Sequence, residues 1–190
     1  MLPVRNILYA TDFSEASLPA FQVACSLSRD YGSQLLVLHV LAPPATVPEM
    51  DQAFLAPAER FKHAMGELQR LKPVEAETQT DYLLRVGTPA VEILQAAVER
   101  HCDMIVMGTH GRSGLGRAIM GSVAENVLRR APCPVLTVRS HASLKTLRTI
   151  LYATDLSELS DQAFPVARAG PGPSGLAGDP TRLPATAHLR

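Results

Sequence analysis

Net charge is the first thing this sequence lacks. Lysine plus arginine and aspartate plus glutamate balance at 18 each, so no overall field draws in nucleic acid or an acidic membrane surface. Aromatic residues are scarce at 5%, which leaves few platforms for stacked bases and argues further against nucleic-acid binding. Long apolar runs are missing as well: LLVLHVLA, residues 35–42, is among the longest and is too short to cross a bilayer. Met1 leads into a short strand-like segment rather than a basic stretch and a signal-peptide core, so the cytoplasm is the expected location. Cysteine is limited to Cys25, Cys102 and Cys133. An odd, widely spaced set makes neither a disulfide framework nor a zinc site, and each member, lying in or beside an apolar segment, reads as a small buried residue. No cluster of metal-ligating residues stands out for a nuclease.

What is present suits a globular core. Hydrophobic residues make up 46% and charged residues 19% of 190 residues, enough for one ordinary domain. NILYA at 6–10 predicts a strand, and the following segment has Ala20, Phe21, Ala24, Leu27 and Tyr31 at helical spacing before Gly32 supplies a stop. QLLVLHV at 34–40 does not alternate, as expected of a strand buried on both faces. A proline-bearing loop then precedes a helix expected over about 50–71. A third strand is expected over 76–86, its charged half marking a sheet edge. Gly87, Thr88 and Pro89 open a further helix, and strands at MIVMG and PVLTV (134–138) flank one expected from Ser122 to Arg130. Short apolar strands alternating with helices imply a parallel sheet covered on both faces by right-handed crossovers, an α/β, three-layer, doubly wound design.

Residues 148–167 repeat residues 5–24 without gaps, with fourteen of twenty positions identical. The expected organisation is therefore a complete domain over 1–141, a linker and truncated second repeat over 142–169, and a Gly/Pro-rich tail over 170–190 that is expected to be disordered. A lone strand and helix cannot bury their apolar faces, so the second copy is expected to dock on the first domain or on a partner chain, or else to stay poorly ordered.

The chemistry gathers in GTHGRSGLGRAIMGS, residues 108–122, where five of the chain's twelve glycines fall between a strand and a helix. No lysine lies between Gly108 and Ser122, which excludes a Walker loop. GLGRAI begins a dinucleotide fingerprint at Gly114 and fails at Ile119, and the second strand ends without the acidic residue that such a site needs. What is left is Gly108, two residues, Gly111, nine residues, then Gly121 and Ser122 at a helix N-terminus, where amides favour an anion. Arg112 and Arg117 add positive charge. Gly108 can equally be a tight turn and Ser122 an ordinary cap. Asp12 follows the first strand directly, at the carboxyl end of the sheet where open α/β folds bind ligands. It can accept hydrogen bonds from a ribose or an adenine amino group, or it can cap the helix, a part Ser14 could also take.

Taken together, ILYATDFSE, VGTPAVEIL, DMIVMGTHGRSGLGRAIMGSVAENVLRRAPCPVLTV and the G-x2-G-x9-G-[ST] spacing resemble the universal stress protein family over residues 3 to about 140. The resemblance implies a Rossmann-like, adenine nucleotide α-hydrolase-like fold with strand order 3-2-1-4-5, and homodimers formed through the fifth strand. It implies a subgroup that binds ATP, with or without Mg2+. Asp12, with Thr11 beside it, would meet the ribose and adenine end, and Val40 would offer backbone contacts to adenine. Gly108, Gly111, Gly121 and Ser122, with Arg112 close by, would cradle the phosphates, and Met107, His110 and Val123 would line the site. Asp155 matches Asp12, but no glycine loop follows it, so a second complete nucleotide site is excluded. The loop contains no carboxylate, and His110 either acts as a base or only packs. The expected function is an ATP-binding regulatory module of the stress response with little or no turnover. The alternatives are a slow ATPase or autophosphorylating enzyme, and a nucleotide-free dimerisation scaffold.

Overall fold

The computed structural model describes residues 4–43, 56–73, 79–109 and 120–139. Five strands, β1 (Asn6–Thr11), β2 (Gln34–Leu41), β3 (Thr80–Val86), β4 (Met104–Gly108) and β5 (Val135–Val138), form one sheet in the order β3-β2-β1-β4-β5. Every pairing is parallel. The helices are α1 (Leu18–Tyr31), α2 (Pro57–Arg70), α3 (Pro89–Glu99) and α4 (Ser122–Arg130), with a single 3-10 turn at Glu15–Ser17 ahead of α1. No helix among the described residues is long and apolar enough to cross a membrane.

The unbroken apolar run of β1 follows from its two buried faces. Ile7 and Tyr9 join the core under α1 and α2, with Phe21, Ala24, Val37, Ala64, Leu68 and Val106. Leu8 and Ala10 point the other way, into a core with Leu38, Ile93, Ala97, Ile105 and Val127 under α3 and α4. Two helices on each face make the expected three layers, and β1, its Ile7, Leu8 and Tyr9 side chains fully buried, is the middle strand of all.

Local chemistry explains where the elements stop. Gly32 takes the left-handed conformation (φ 63°), its amide donating to Arg29 while Ser33 donates to the Ser28 carbonyl, a Schellman closure of α1. α2 begins at Pro57, later than the residue near 50 expected from sequence; proline suits the first helical position, and the Glu59 side chain reaches back to the Ala56 amide at 3.3 Å. Residues 50–55 lie outside those described. β5 starts at Val135, one residue later than expected, because Pro134 has no amide to give. Its carbonyl still accepts from Ile105 at 3.0 Å. β3 lies at the edge its charges had marked, with Arg85 paired to Glu92 at 3.5 Å and to Glu99 of α3.

Cys102 is buried, and Cys25 and Cys133 are half-buried against the two cores. Burial pushes the Cys102 thiol up to about 12, with Cys133 and Asp103 adding to the rise, and the Cys133 thiol up to about 11. Both therefore stay protonated at neutral pH and act as packing groups. The second repeat and the tail, residues 142–190, lie outside the described residues.

Candidate functional site

The site forms where strand order reverses, between β1 and β4. Ala10 pairs with Met107, which sets Thr11 and Asp12 alongside Gly108 and Thr109 at the carboxyl end of the sheet. An open parallel sheet leaves its crevice at this point.

Past β1 the chain folds into a tight polar turn. Asp12 Oδ1 accepts hydrogen bonds from the Ser14 amide at 3.0 Å and the Ser14 hydroxyl at 2.6 Å. The local capping part is thus real, and Ser14 is its partner rather than its substitute. The Thr11 hydroxyl accepts from the Phe13 amide at 3.0 Å and lies 3.1 Å from the Ser17 hydroxyl, which donates to the Ser14 carbonyl at 2.7 Å. Thr11 is buried, so its side chain braces the turn from inside. The Tyr9 hydroxyl donates to the Ser17 carbonyl at 2.9 Å, and burial above all raises the Tyr9 pKa, which keeps the phenol neutral.

The residue that composition did not single out is Phe13. It holds φ at 63°, a left-handed conformation that costs a side-chain-bearing residue about 1–2 kcal/mol. Its ring lies against His39, with centroids 4.1 Å apart and planes at 33°. His39 is itself buried, and its Nδ1 sits 2.7 Å from the Thr11 carbonyl, where a protonated nitrogen donates. The lone histidine in the otherwise apolar run 35–41 of β2 was the available signal. If strain is stored at Phe13, Phe13→Gly and Phe13→Ala both lose the ring but only alanine keeps the strain. The glycine variant should then melt higher, by a stability difference of about 1 kcal/mol. Equal thermal melts for the two variants would show that the turn is unstrained.

Val40 lies one residue beyond the β1–β2 pairing, which ends at Thr11 and His39. Gln34 donates to Arg5, whereas Leu35 donates to Gln79 and the Leu41 carbonyl accepts from Gly87. Strand alternation therefore turns the main-chain groups of Val40 toward the β1 side. There the register gives the Val40 amide to the Thr11 carbonyl as the last ladder bond, while the Val40 carbonyl lacks the next ladder donor because the Phe13 amide has been taken by the Thr11 hydroxyl. The Val40 side chain shares a core with Met107, Met120 and Val123, so one apolar floor runs beneath the crevice.

Across from Asp12, the Thr109 amide donates to the Val138 carbonyl at 3.0 Å, and the Gly121 amide donates to the Thr109 carbonyl at 2.8 Å. The glycine-rich segment thus leaves and re-enters the fold at one point. The Gly121 amide, expected to be available to a ligand, is committed to this closure. α4 has its first intrahelical bond from Glu125 to the Gly121 carbonyl, so the amides of Ser122, Val123 and Ala124 stand ahead of the ladder with the positive end of the helix dipole. Arg129 and Arg130 complement the opposite end.

The structure accordingly brings together Thr11, Asp12, Val40, Met107, Gly108, Gly121, Ser122 and Val123 around one end of the sheet. His110, Gly111, Arg112 and Arg117 lie outside the described residues. No group of three or more potential metal ligands occurs among the described residues.

Comparison with known proteins agrees with this architecture. The profile of the universal stress protein family matches residues 3–139. A universal stress protein encoded in the QAH/OAS sulfhydrylase 3′ region of Thermus aquaticus is 38% identical over 138 residues, covering 71% of this chain and 98% of that one. The solved hypothetical protein MJ0577 of Methanocaldococcus jannaschii superposes with a TM-score of 0.64 at 28% identity, covering 75% of this chain and all of the other. A universal stress protein solved in complex with cAMP superposes at 0.52 over 73% of this chain and 98% of its own. At 23% identity that likeness speaks to the fold, and the cyclic nucleotide is that protein's ligand.

Proposed function

This chain belongs to the universal stress protein family, and from that premise we propose that it is an ATP-binding regulatory module of the stress response with little or no turnover. One observation carries the reading. The bond from Gly121 to Thr109 sets the N-terminus of α4 against the end of β4, beside the strand that delivers Asp12. An anion chain lying on α4 would thus have its sugar within reach of a carboxylate.

The roles follow from the chemistry of each group. The Asp12 carboxylate accepts from ribose hydroxyls, and the Val40 carbonyl, past the last ladder bond, meets the amino edge of adenine. The amides of Ser122 and Val123, helped by Gly108, Gly111, His110 and Arg112, hold phosphate oxygens, with or without Mg2+. Gly121 serves as the hinge that positions them, and Met107 and Val123 give the base an apolar floor. The absence of any aspartate or glutamate from 108–122 leaves only His110 as a base in that segment, which favours holding ATP over hydrolysing it. The nucleotide-binding domain spans 1–141, acts in the cytoplasm, and has in its β5 edge the surface through which two copies can pair; the second repeat makes the protein a tandem type that has one nucleotide site.

Calorimetric titration with ATP is the test. One molecule should bind per chain, binding should vanish in Gly121→Val, and phosphate release should stay at background. No heat at millimolar ATP would refute the reading. Steady hydrolysis lost in His110→Ala would move it to an ATPase, and binding-free dimers would move it to a scaffold.

A further inference from the structure

The two edges of the sheet are built differently. β3 carries Asp81 and Arg85 within the strand, and its Arg85 is tied to α3 by two glutamates. Charges of this kind make an edge a poor template for another strand. β5 reads Val135-Leu136-Thr137-Val138, with no charge at all. Among the described residues it is held on one side only: Ile105 donates to Pro134 and Thr109 to Val138, each at 3.0 Å. Alternation then directs the main-chain groups of Val135 and Thr137 away from β4. Among the described residues β4 is the only strand paired with β5. Both cores also thin out here, because Val135 and Leu136, packed on opposite faces, are only half-buried.

Ten residues beyond Val138 the sequence of β1 returns. Residues 149–154, TILYAT, match NILYAT of β1 at five of six positions. In β1 the isoleucine, leucine and tyrosine of that motif are completely buried between two neighbouring strands. The second copy has the same apolar faces to cover but not the same means of covering them. Pro165 stands where α1 has Gln22, in the helix interior, and proline there removes an amide and strikes the carbonyl four residues back. Only four residues, 166–169, separate that proline from Gly170. The second copy therefore repeats the apolar sequence of β1 but not the helix sequence, free of interior proline, that follows it.

We propose that residues 149–154 add to the β5 edge of their own chain as a sixth, antiparallel strand, and so control whether that edge pairs with a second copy. The inference rests on the reading that β5 is the pairing edge. The linker decides the direction. Residues 139–148 can span at most about 35 Å, ample for turning back along a strand of about 13 Å. A parallel addition would need a crossover of about a dozen residues or more, usually with a helix. Tethering also sets the competition: a short connection gives an effective concentration near the millimolar range, far above that of a second chain at about 10 μM.

The test uses the full chain, compared with Leu151→Pro, which leaves the first domain unaltered and removes a donor from the added strand. Two readouts are taken at about 10 μM: mass by sedimentation, and hydrogen exchange at the Val135 and Thr137 amides. The full chain should be monomeric with both amides protected. Leu151→Pro should double the mass, or, where the chain stays monomeric, speed exchange at both amides by about tenfold or more. In that second case the cis strand stands and the dimer reading fails. A dimeric full chain whose protected amides ignore Leu151→Pro overturns the proposal while leaving the dimer reading intact. Fast exchange at both amides in a monomeric full chain overturns both.

Discussion

Asp12→Asn should weaken ATP binding by about 10- to 100-fold while changing fold stability by less than about 1 kcal/mol. Asparagine keeps an oxygen where Oδ1 now accepts from the Ser14 amide and hydroxyl, so the turn after β1 survives. What it loses is the charge, and a hydrogen bond to a charged acceptor is worth about 1.5–3 kcal/mol, which at about 1.4 kcal/mol per factor of ten gives the stated range. Asp12→Ala should lose as much binding and also about 1 kcal/mol of stability, since the Ser14 donors lose their acceptor. Calorimetry and thermal melts on the two variants separate the parts. If Asp12→Asn binds ATP as tightly as the unaltered chain, the carboxylate serves the turn alone and the sugar is held elsewhere.

Much of this was legible in the residues, and what was not has a common cause. α4 runs from Ser122 to Arg130 as expected, because glycine before it and arginines closing it are local signals. The edge position of β3 was written in Asp81 and Arg85. Two of the site's constraints act through space and left weaker marks. Gly121 gives its amide to Thr109, twelve positions earlier in the chain, so no local pattern shows that the helix start is partly spent. Phe13 bends left-handed although it is not glycine, because β2 holds His39 beneath its ring and against the Thr11 carbonyl. In each case the partner comes from another turn or strand, and sequence spacing alone does not bring the pair together.

β1 ties this turn to the core, and truncating it there should separate stability from binding. Leu8 is fully buried, flanked by β2 and β4, with its side chain in the core under α3 and α4. Leu8→Ala should cost about 3 kcal/mol, from lost burial plus the cavity left behind, and lower the melting temperature by about 10 °C. The turn that carries Asp12 is braced on the other face, by the bonds of Tyr9, Thr11 and Ser17 and by His39, so the folded fraction should keep its ATP affinity. ATP at about a hundred times its dissociation constant should then return about 2.7 kcal/mol, nearly restoring the melting temperature. Should the nucleotide raise the melt of the unaltered chain but not that of Leu8→Ala, the α3–α4 core must itself shape the crevice, and Asp12 would depend on packing two strands deep rather than on its own turn.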